Sequence, residues 1–567
     1  MRALGLSVCC TLLLLSLAGR GVQAQTQLGP IQVSGGIGFE GQAYASDGIA
    51  GRRAPASMRT YANANVSLYG LTTGLNLSFD TDQSRLRRNV NRLQLDTRWA
   101  QGRVAAGDVS PRLSRYSLSG TIVRGGLVEY NPGTLHLTVT GGQPRRSTTL
   151  ANTLTDQQDE RWLVGTRFGW GKPRETHFHL IGVYVRDVLP STLEPGTVNP
   201  AENFSLTPSV STKLLDGKLT MTGQVTMSAF TLDTRAPQAS GSQIPGWLRW
   251  GITPRAGSQV DYAGEASAAL NLGWFGVQSS YSRIQPGFES LGLQYTRADQ
   301  EVVRLQPRLS LLNSRVNLGF TLARTRNNLL DQRQSTLERD QGGVTAQVRL
   351  LPSLSLSSSY MRMGNTNTPR SGVADRASLQ QSQLSQAVML APVFTVQRPD
   401  GLSHTVALSL AFQQTDDNSL AVQQNLRPAV GNESTTAMLN YALGFTSGLS
   451  VNLRGNALQS EAGGATTDVR GVQVGLGQTF IDRALNVRAS AGWTQTESAR
   501  SFVLPEVGTQ RSRIQTAQWL TTLSANYRLP GGDAIRFTLR GVVNDAQTTG
   551  GRDFSEVQAA LRYDHRF

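Results

Sequence analysis

Arginine is the residue with the most chemistry to offer in this chain. Of 54 basic residues only Lys172, Lys213 and Lys218 are lysines; with 39 acidic residues the net charge is +15. The isoelectric point is about 10.3. The arginines are spread along the chain instead of clustering in one stretch, which argues against a nucleic-acid footprint. Several alternate with apolar residues, as in Ile535, Phe537 and Leu539 against Arg536, Thr538 and Arg540.

Other chemistry is sparse. The histidines are His136, His177, His179, His404 and His565. His177 and His179 stand two apart, so they share one strand face and could chelate a metal. No carboxylate stands at fixed spacing beside them, so they read as chance placement and no metal site is expected. No serine sits in a GxSxG elbow, and no glycine-rich phosphate loop is present. No catalytic residue, enzymatic activity or cofactor is therefore expected.

The elements that must position these side chains are strands. In the last segment Val557, Ala559, Leu561, Tyr563, His565 and Phe567 share one face, while Gln558, Ala560, Arg562, Asp564 and Arg566 share the other. Similar alternation runs through 405–413, 437–445 and 485–493. Tight turns recur at Tyr69–Thr73, Ala100–Gly102, Asn131-Pro132-Gly133, Gly171–Arg174, Asp216-Gly217 and Gly273. They continue at Asn313-Ser314, Leu351-Pro352, Pro399-Asp400-Gly401, Ser447-Gly448, Asp482-Arg483 and Pro530–Gly532. Between them lie longer loops, such as 143–159, 188–202, 234–257, 364–384 and 416–433. Short turns on one side and long loops on the other are the asymmetry of an outer-membrane barrel.

Twelve hairpins, a first strand near 31–45 and a last near 553–567 make about 26 strands, with 22–26 as the range and Phe288–Thr296 as an optional extra. The expected fold is all-β: one large closed antiparallel transmembrane barrel with short periplasmic turns and long extracellular loops. Aromatics near strand ends (Trp99, Tyr130, Trp170, Tyr184, Trp274, Phe445, Trp493, Tyr527 and Phe567) suit interfacial girdles. In hydrocarbon only a closed sheet satisfies every backbone amide.

The one long apolar run is Leu4 to Leu17, after Arg2 and before Ala18–Ala24. It reads as a signal peptide over 1–24, cleaved after Ala24, with the barrel over 25–567. Cys9 and Cys10 both fall inside it, so the mature chain has no thiol. Mean hydropathy is −0.25, so nothing marks a helical membrane protein.

The mature chain resembles bacterial, porin-like outer-membrane β-barrel proteins. Leu561-x-Tyr563-x-His565-x-Phe567 resembles the C-terminal strand that the barrel-assembly machinery recognises, with His565 departing from the usual apolar residue. The resemblance implies Tyr563 and Phe567 as the assembly signal. Over about 60–130, Gly74-Leu75-Asn76-Leu77, Gly107-Asp108 and Ser119–Gly125 resemble early strands of fimbrial ushers. Ushers then insert a plug, whereas here Gly126–Tyr130 passes through Asn131-Pro132-Gly133 into another strand.

With the apolar face toward lipid, Arg92, Arg98, Arg167, Arg304, Arg308, Arg349, Arg454, Arg488, Arg536, Arg540 and Arg562 turn toward the lumen. On the lipid face near the midplane each would cost roughly 2–4 kcal/mol. A positive lumen concentrates anions. The expected function is an anion-preferring pore for hydrophilic solutes in a Gram-negative outer membrane. The alternatives are a protein-translocation or assembly barrel whose lumen is filled by a partner, and a structural or adhesive envelope protein. Expected partners are outer-membrane lipid, the barrel-assembly machinery and a plug or periplasmic protein. A barrel this wide needs an obstruction. The internal candidate is loop 234–257, where Trp247, Arg249 and Trp250 would form a constriction or ligand loop.

Overall fold

A computed structural model describes residues 26–28, 31–81, 92–145, 160–172, 175–188, 199–239, 244–374, 376–424, 426–427, 429–504, 508–548 and 551–567. The expected signal peptide lies outside them. The strands are β1 (Thr26–Leu28), β2 (Ile31–Asp47), β3 (Ala56–Leu68), β4 (Leu71–Asp80), β5 (Arg92–Trp99), β6 (Gly102–Val109), β7 (Val123–Tyr130), β8 (Leu135–Arg145) and β9 (Glu160–Gly171). They continue as β10 (His177–Val188), β11 (Glu202–Leu214), β12 (Leu219–Thr231), β13 (Gln259–Asn271), β14 (Phe275–Ile284), β15 (Gln300–Leu311), β16 (Val316–Arg326), β17 (Ser335–Leu351) and β18 (Leu354–Pro369). The last nine are β19 (Gln381–Gln397), β20 (Ser403–Asp417), β21 (Asn432–Gly444), β22 (Ser450–Ala462), β23 (Ala465–Phe480), β24 (Leu485–Leu504), β25 (Gly508–Arg528), β26 (Ala534–Ala546) and β27 (Phe554–Arg566).

From β2 to β27 each strand pairs antiparallel with the next, and β27 returns to β2 from Asp47↔Ser555 to Gly36↔Arg566. The result is a closed antiparallel barrel of 26 strands. At ~4.8 Å between strands and ~40° of tilt, such a ring is roughly 50 Å across. Phe567 completes the seam: its N–H donates to Gly35 O (3.1 Å) and its carbonyl accepts from Gly35 N–H (2.8 Å). β1 then pairs with β2 over Ile31–Val33, where β27 has ended. The tight turns fall at junctions between consecutive strands, although Leu71–Thr73, Gly102, Gly171 and Leu351 belong to the strands themselves and Pro173 and Arg174 lie outside the described residues. The opposite side is less uniform, because β22 and β23 join through only Gly463 and Gly464. β24 and β25 reach 20 and 21 residues, about twice what a membrane strand needs, so this hairpin projects beyond the bilayer.

Register assigns the two faces. Leu75, Leu77, Phe79, Leu93, Leu95, Val164, Phe168, Val472, Val474, Leu476, Trp519 and Val543 are exposed on the outward wall, which suits a hydrocarbon solvent and not water. The segment Phe288–Thr296 is not a strand: the chain between β14 and β15 turns into the barrel, and Phe288 is fully buried there.

Glycine shapes the seam. The Tyr61 ring lies across the backbone of Gly38, where an added Cβ would run into it, and the Arg562 guanidinium sits 4.9 Å from the ring centroid. Gly38→Val is expected to expel the ring and cost about 1–3 kcal/mol. The check is the urea midpoint of the folded, heat-modifiable band; an unchanged midpoint would count against this packing.

Candidate functional site

Two loops form an inner layer against one side of the lumen. The first, 110–122, joins β6 to β7; the second, 285–299, joins β14 to β15. Leu113 and Leu118 from the first and Leu291 from the second pack onto Ala105, Val109, Val123, Leu127, Leu163, Ile181, Val183 and Val185. This explains β10, whose Leu180–Val185 run is apolar on both faces. One face turns outward, with Leu180 exposed and Tyr184 under an apolar cluster; the other meets the inner layer, and a strand covered on both sides loses its alternation.

Polar contacts fix the layer in place. Ser114 Oγ donates to Gln224 Oε1 (3.1 Å), and Arg115 pairs with Glu265 on β13. Tyr116 donates to the same carboxylate (3.3 Å) and meets Phe288 edge-on at 6.4 Å. Burial and Glu265 push the Tyr116 phenol up to about 12, so it remains a donor at physiological pH. Thr121 Oγ1 donates to Gly292 O (2.8 Å) and Ser290 Oγ to Ser117 O (3.2 Å), which ties one loop to the other.

A buried ion pair clamps the second loop. Arg161 Nε and Nη2 meet the two oxygens of Asp187 at 2.6 and 2.9 Å, while Nη1 reaches Leu291 O at 3.4 Å. The side chains are 15% and 2% exposed. Removing one partner of such a pair costs about 3–5 kcal/mol. Asp187→Asn is therefore expected to free loop 285–299, seen as a new cut within it in limited proteolysis. Resistance equal to the parent's would refute the clamp.

The register puts all eleven arginines named above on the face that carries the inner layer. They differ in their partners. Arg98 pairs with Asp96 at 2.7 Å, and Arg562 pairs with Asp564 at 2.9 Å. Arg167 Nη2 donates to Arg112 O at 2.6 Å. Arg92 stands opposite Ser78, Arg304 opposite Ser280, Arg308 opposite Gly276, and Arg349 opposite Ser355. Arg454 Nε donates to Asn440 Oδ1 at 2.8 Å. Arg488 faces Ser524, Arg540 faces Thr522, and Arg536 lies between Asn526 and Arg562.

The wall from β21 to β26 stands apart. Read in register, its inner face carries Arg454, Arg488, Arg500, Arg528, Arg536 and Arg540 but no aspartate or glutamate. The acidic residues of those strands (Glu433, Glu461, Asp468, Glu497 and Asp545) alternate onto the outer face. Two adjoining recesses of about 420 and 380 Å³ open on this wall and share Arg488 and Ser524. The first adds Arg454; the second adds Arg483, Arg528 and Arg536.

No protein-family model and no curated protein matches the chain. Solved structures are similar in architecture. The outer membrane protein opdK of Pseudomonas aeruginosa shares 11% identity at a TM-score of 0.30, covering 69% of this chain and 98% of that one. Acinetobacter baumannii OccAB2 shares 10% at 0.30, over 94% and 98%. The E. coli P pilus tip assembly intermediate PapC-PapD-PapK-PapG shares 10% at 0.44, over 90% and 62%. These are distant likenesses between barrels, and no solute or partner follows from them.

Loop 234–257 does not form the constriction expected of it. Ile244, Leu248 and Ile252 pack with Phe204, Ala229, Tyr184, Leu206 and Val260, all on the outward face of β10–β13. Trp250 stacks edge-on with Phe204 at 4.7 Å and is 74% exposed; Arg249 Nε donates to Ile244 O at 3.2 Å. The Trp247 side chain lies outside the described residues. An apolar loop is drawn to the apolar wall available to it, and here that wall is the outer one. At the seam, Tyr563 donates to Asp533 Oδ2 (2.8 Å) and His565 Nδ1 lies 2.7 Å from Asp533 Oδ1. This partner accounts for a histidine in an apolar row.

Proposed function

We propose that the chain is an outer-membrane pore for small hydrophilic solutes, with a preference for anions. A wall with an apolar outer band and a polar inner face belongs in a bilayer, and the expected signal peptide would send it across the inner membrane. The preference is supported by the β21–β26 wall, where guanidiniums gather without carboxylates. Fixed positive charge in a water-filled passage raises the local anion concentration. Among the described residues the inner layer lies against the other side of the lumen, which leaves this wall facing the solute path.

The test is the reversal potential of the purified chain in a planar bilayer under a KCl gradient. The expected sign is that of chloride, and a cation-selective pore would overturn the preference. The width of the ring supports a second reading, a translocation barrel filled by a partner protein. A barrel silent in bilayers until a co-purified protein is stripped away would favour it.

A further inference from the structure

We propose that His136, His177 and His179 form a three-imidazole site for a borderline transition-metal dication, such as Zn²⁺ or Cu²⁺, on the inner wall. The site lies beside the turn 131–134 and the end of β9 at Gly171. Two ligands come from alternate positions of β10. The third comes from β8, across β9, because His136 pairs in register with Gly169 and Gly169 with His179. Glycine at that crossing lets the rings meet; an added Cβ at 169 would run into the His179 ring.

The dimensions approach those of a metal site. His136 Nδ1 lies 3.0 Å from His179 Nε2. The ring centroids are 5.3, 4.8 and 6.2 Å apart. With Zn–N at about 2.0–2.1 Å and tetrahedral angles, ligating imidazole centroids stand roughly 5 Å apart. His136 is 6% exposed. Its Nε2 and the Nδ1 of His177 are buried with no hydrogen-bond partner, whereas buried polar atoms are ordinarily satisfied. As placed, no three described side chains close a metal shell; His177 must turn its ring to complete one.

Three neutral nitrogens without a carboxylate favour zinc or copper over magnesium or calcium, and a fourth position remains for water or a solute anion. The opposing charge is Arg167, on the same face. Its Nη2 is held by Arg112 O at 2.6 Å, so the guanidinium is anchored toward the inner layer.

The experiment titrates the untagged, full barrel with Zn²⁺ against a chromophoric chelator, and with Cu²⁺ by electron paramagnetic resonance. One equivalent per chain and nitrogen hyperfine structure are expected. His179→Gln should weaken binding by at least roughly 10–100-fold, while His404→Gln should not. Gly169→Ala, which keeps all three imidazoles, should weaken it too. Should either variant fail to fold, His177→Gln carries the same expectation. No stoichiometric binding in the parent, or equal affinity in the His136→Gln/His177→Gln/His179→Gln triple variant, would overturn the site.

Discussion

Leu118→Asp is expected to raise single-channel conductance severalfold and to make the open level noisier. Leu118 is wholly inaccessible, set between Leu113 and the inner faces of β9 and β10. A carboxylate there would be buried without a partner, which costs several kcal/mol. The bonds that hold loop 110–122 (Ser114 to Gln224, Arg115 and Tyr116 to Glu265, Thr121 to Gly292) are worth about 1 kcal/mol each. They cannot offset that cost, so the loop leaves the wall. The barrel survives, because backbone pairing from strand to strand closes it without the loop. Leu118→Met should cost under about 1.5 kcal/mol and keep the parent conductance. Exclusion of polyethylene glycols of graded size gives an independent readout of width. If proteolysis shows the loop freed while conductance is unchanged, the inner layer is not what limits flow.

The turns were legible because they depend on local chemistry. Asp216-Gly217, Asn313-Ser314 and Asp482-Arg483 each lie in a run of three residues with positive φ, and aspartate, asparagine and glycine tolerate that region best. The strand faces were legible because lipid and water impose opposite preferences on alternate positions. What could not be read was where loops go, since that depends on surfaces assembled from strands distant in sequence. Trp247 to Trp250 marked an apolar loop correctly, but both walls of β10–β13 offer apolar ground. The better sign was the unbroken run Leu180–Val185, which shows that something covers the inner wall there. The third histidine was hidden for the same reason: His136 and His179 are 43 residues apart and meet only through the β8–β9–β10 register.

Reversing charge on the acid-free wall carries the other large expectation. Arg488→Glu combined with Arg536→Glu should abolish anion preference or turn it to cations, with the reversal potential changing sign in 0.1 M KCl. Arg488 lies at the junction of the two recesses and Arg536 lines the second, so both carboxylates would enter the solute path. Neither arginine holds a carboxylate among the described residues, so no buried pair is broken and the barrel should fold as before. The matched pair Arg98→Glu and Arg562→Glu tests the reasoning from the other side. Those guanidiniums sit against Asp96 and Asp564, so reversal there sets like charges together and should lower stability as well as selectivity. Salt separates field from shape. The Debye length falls from about 10 Å at 0.1 M to about 3 Å at 1 M, so the parent's preference should fade over that range if it comes from unpaired arginines. A preference that persists undiminished at 1 M would mean that selection is made at direct contact in a narrow place, and that the β21–β26 wall is not its origin.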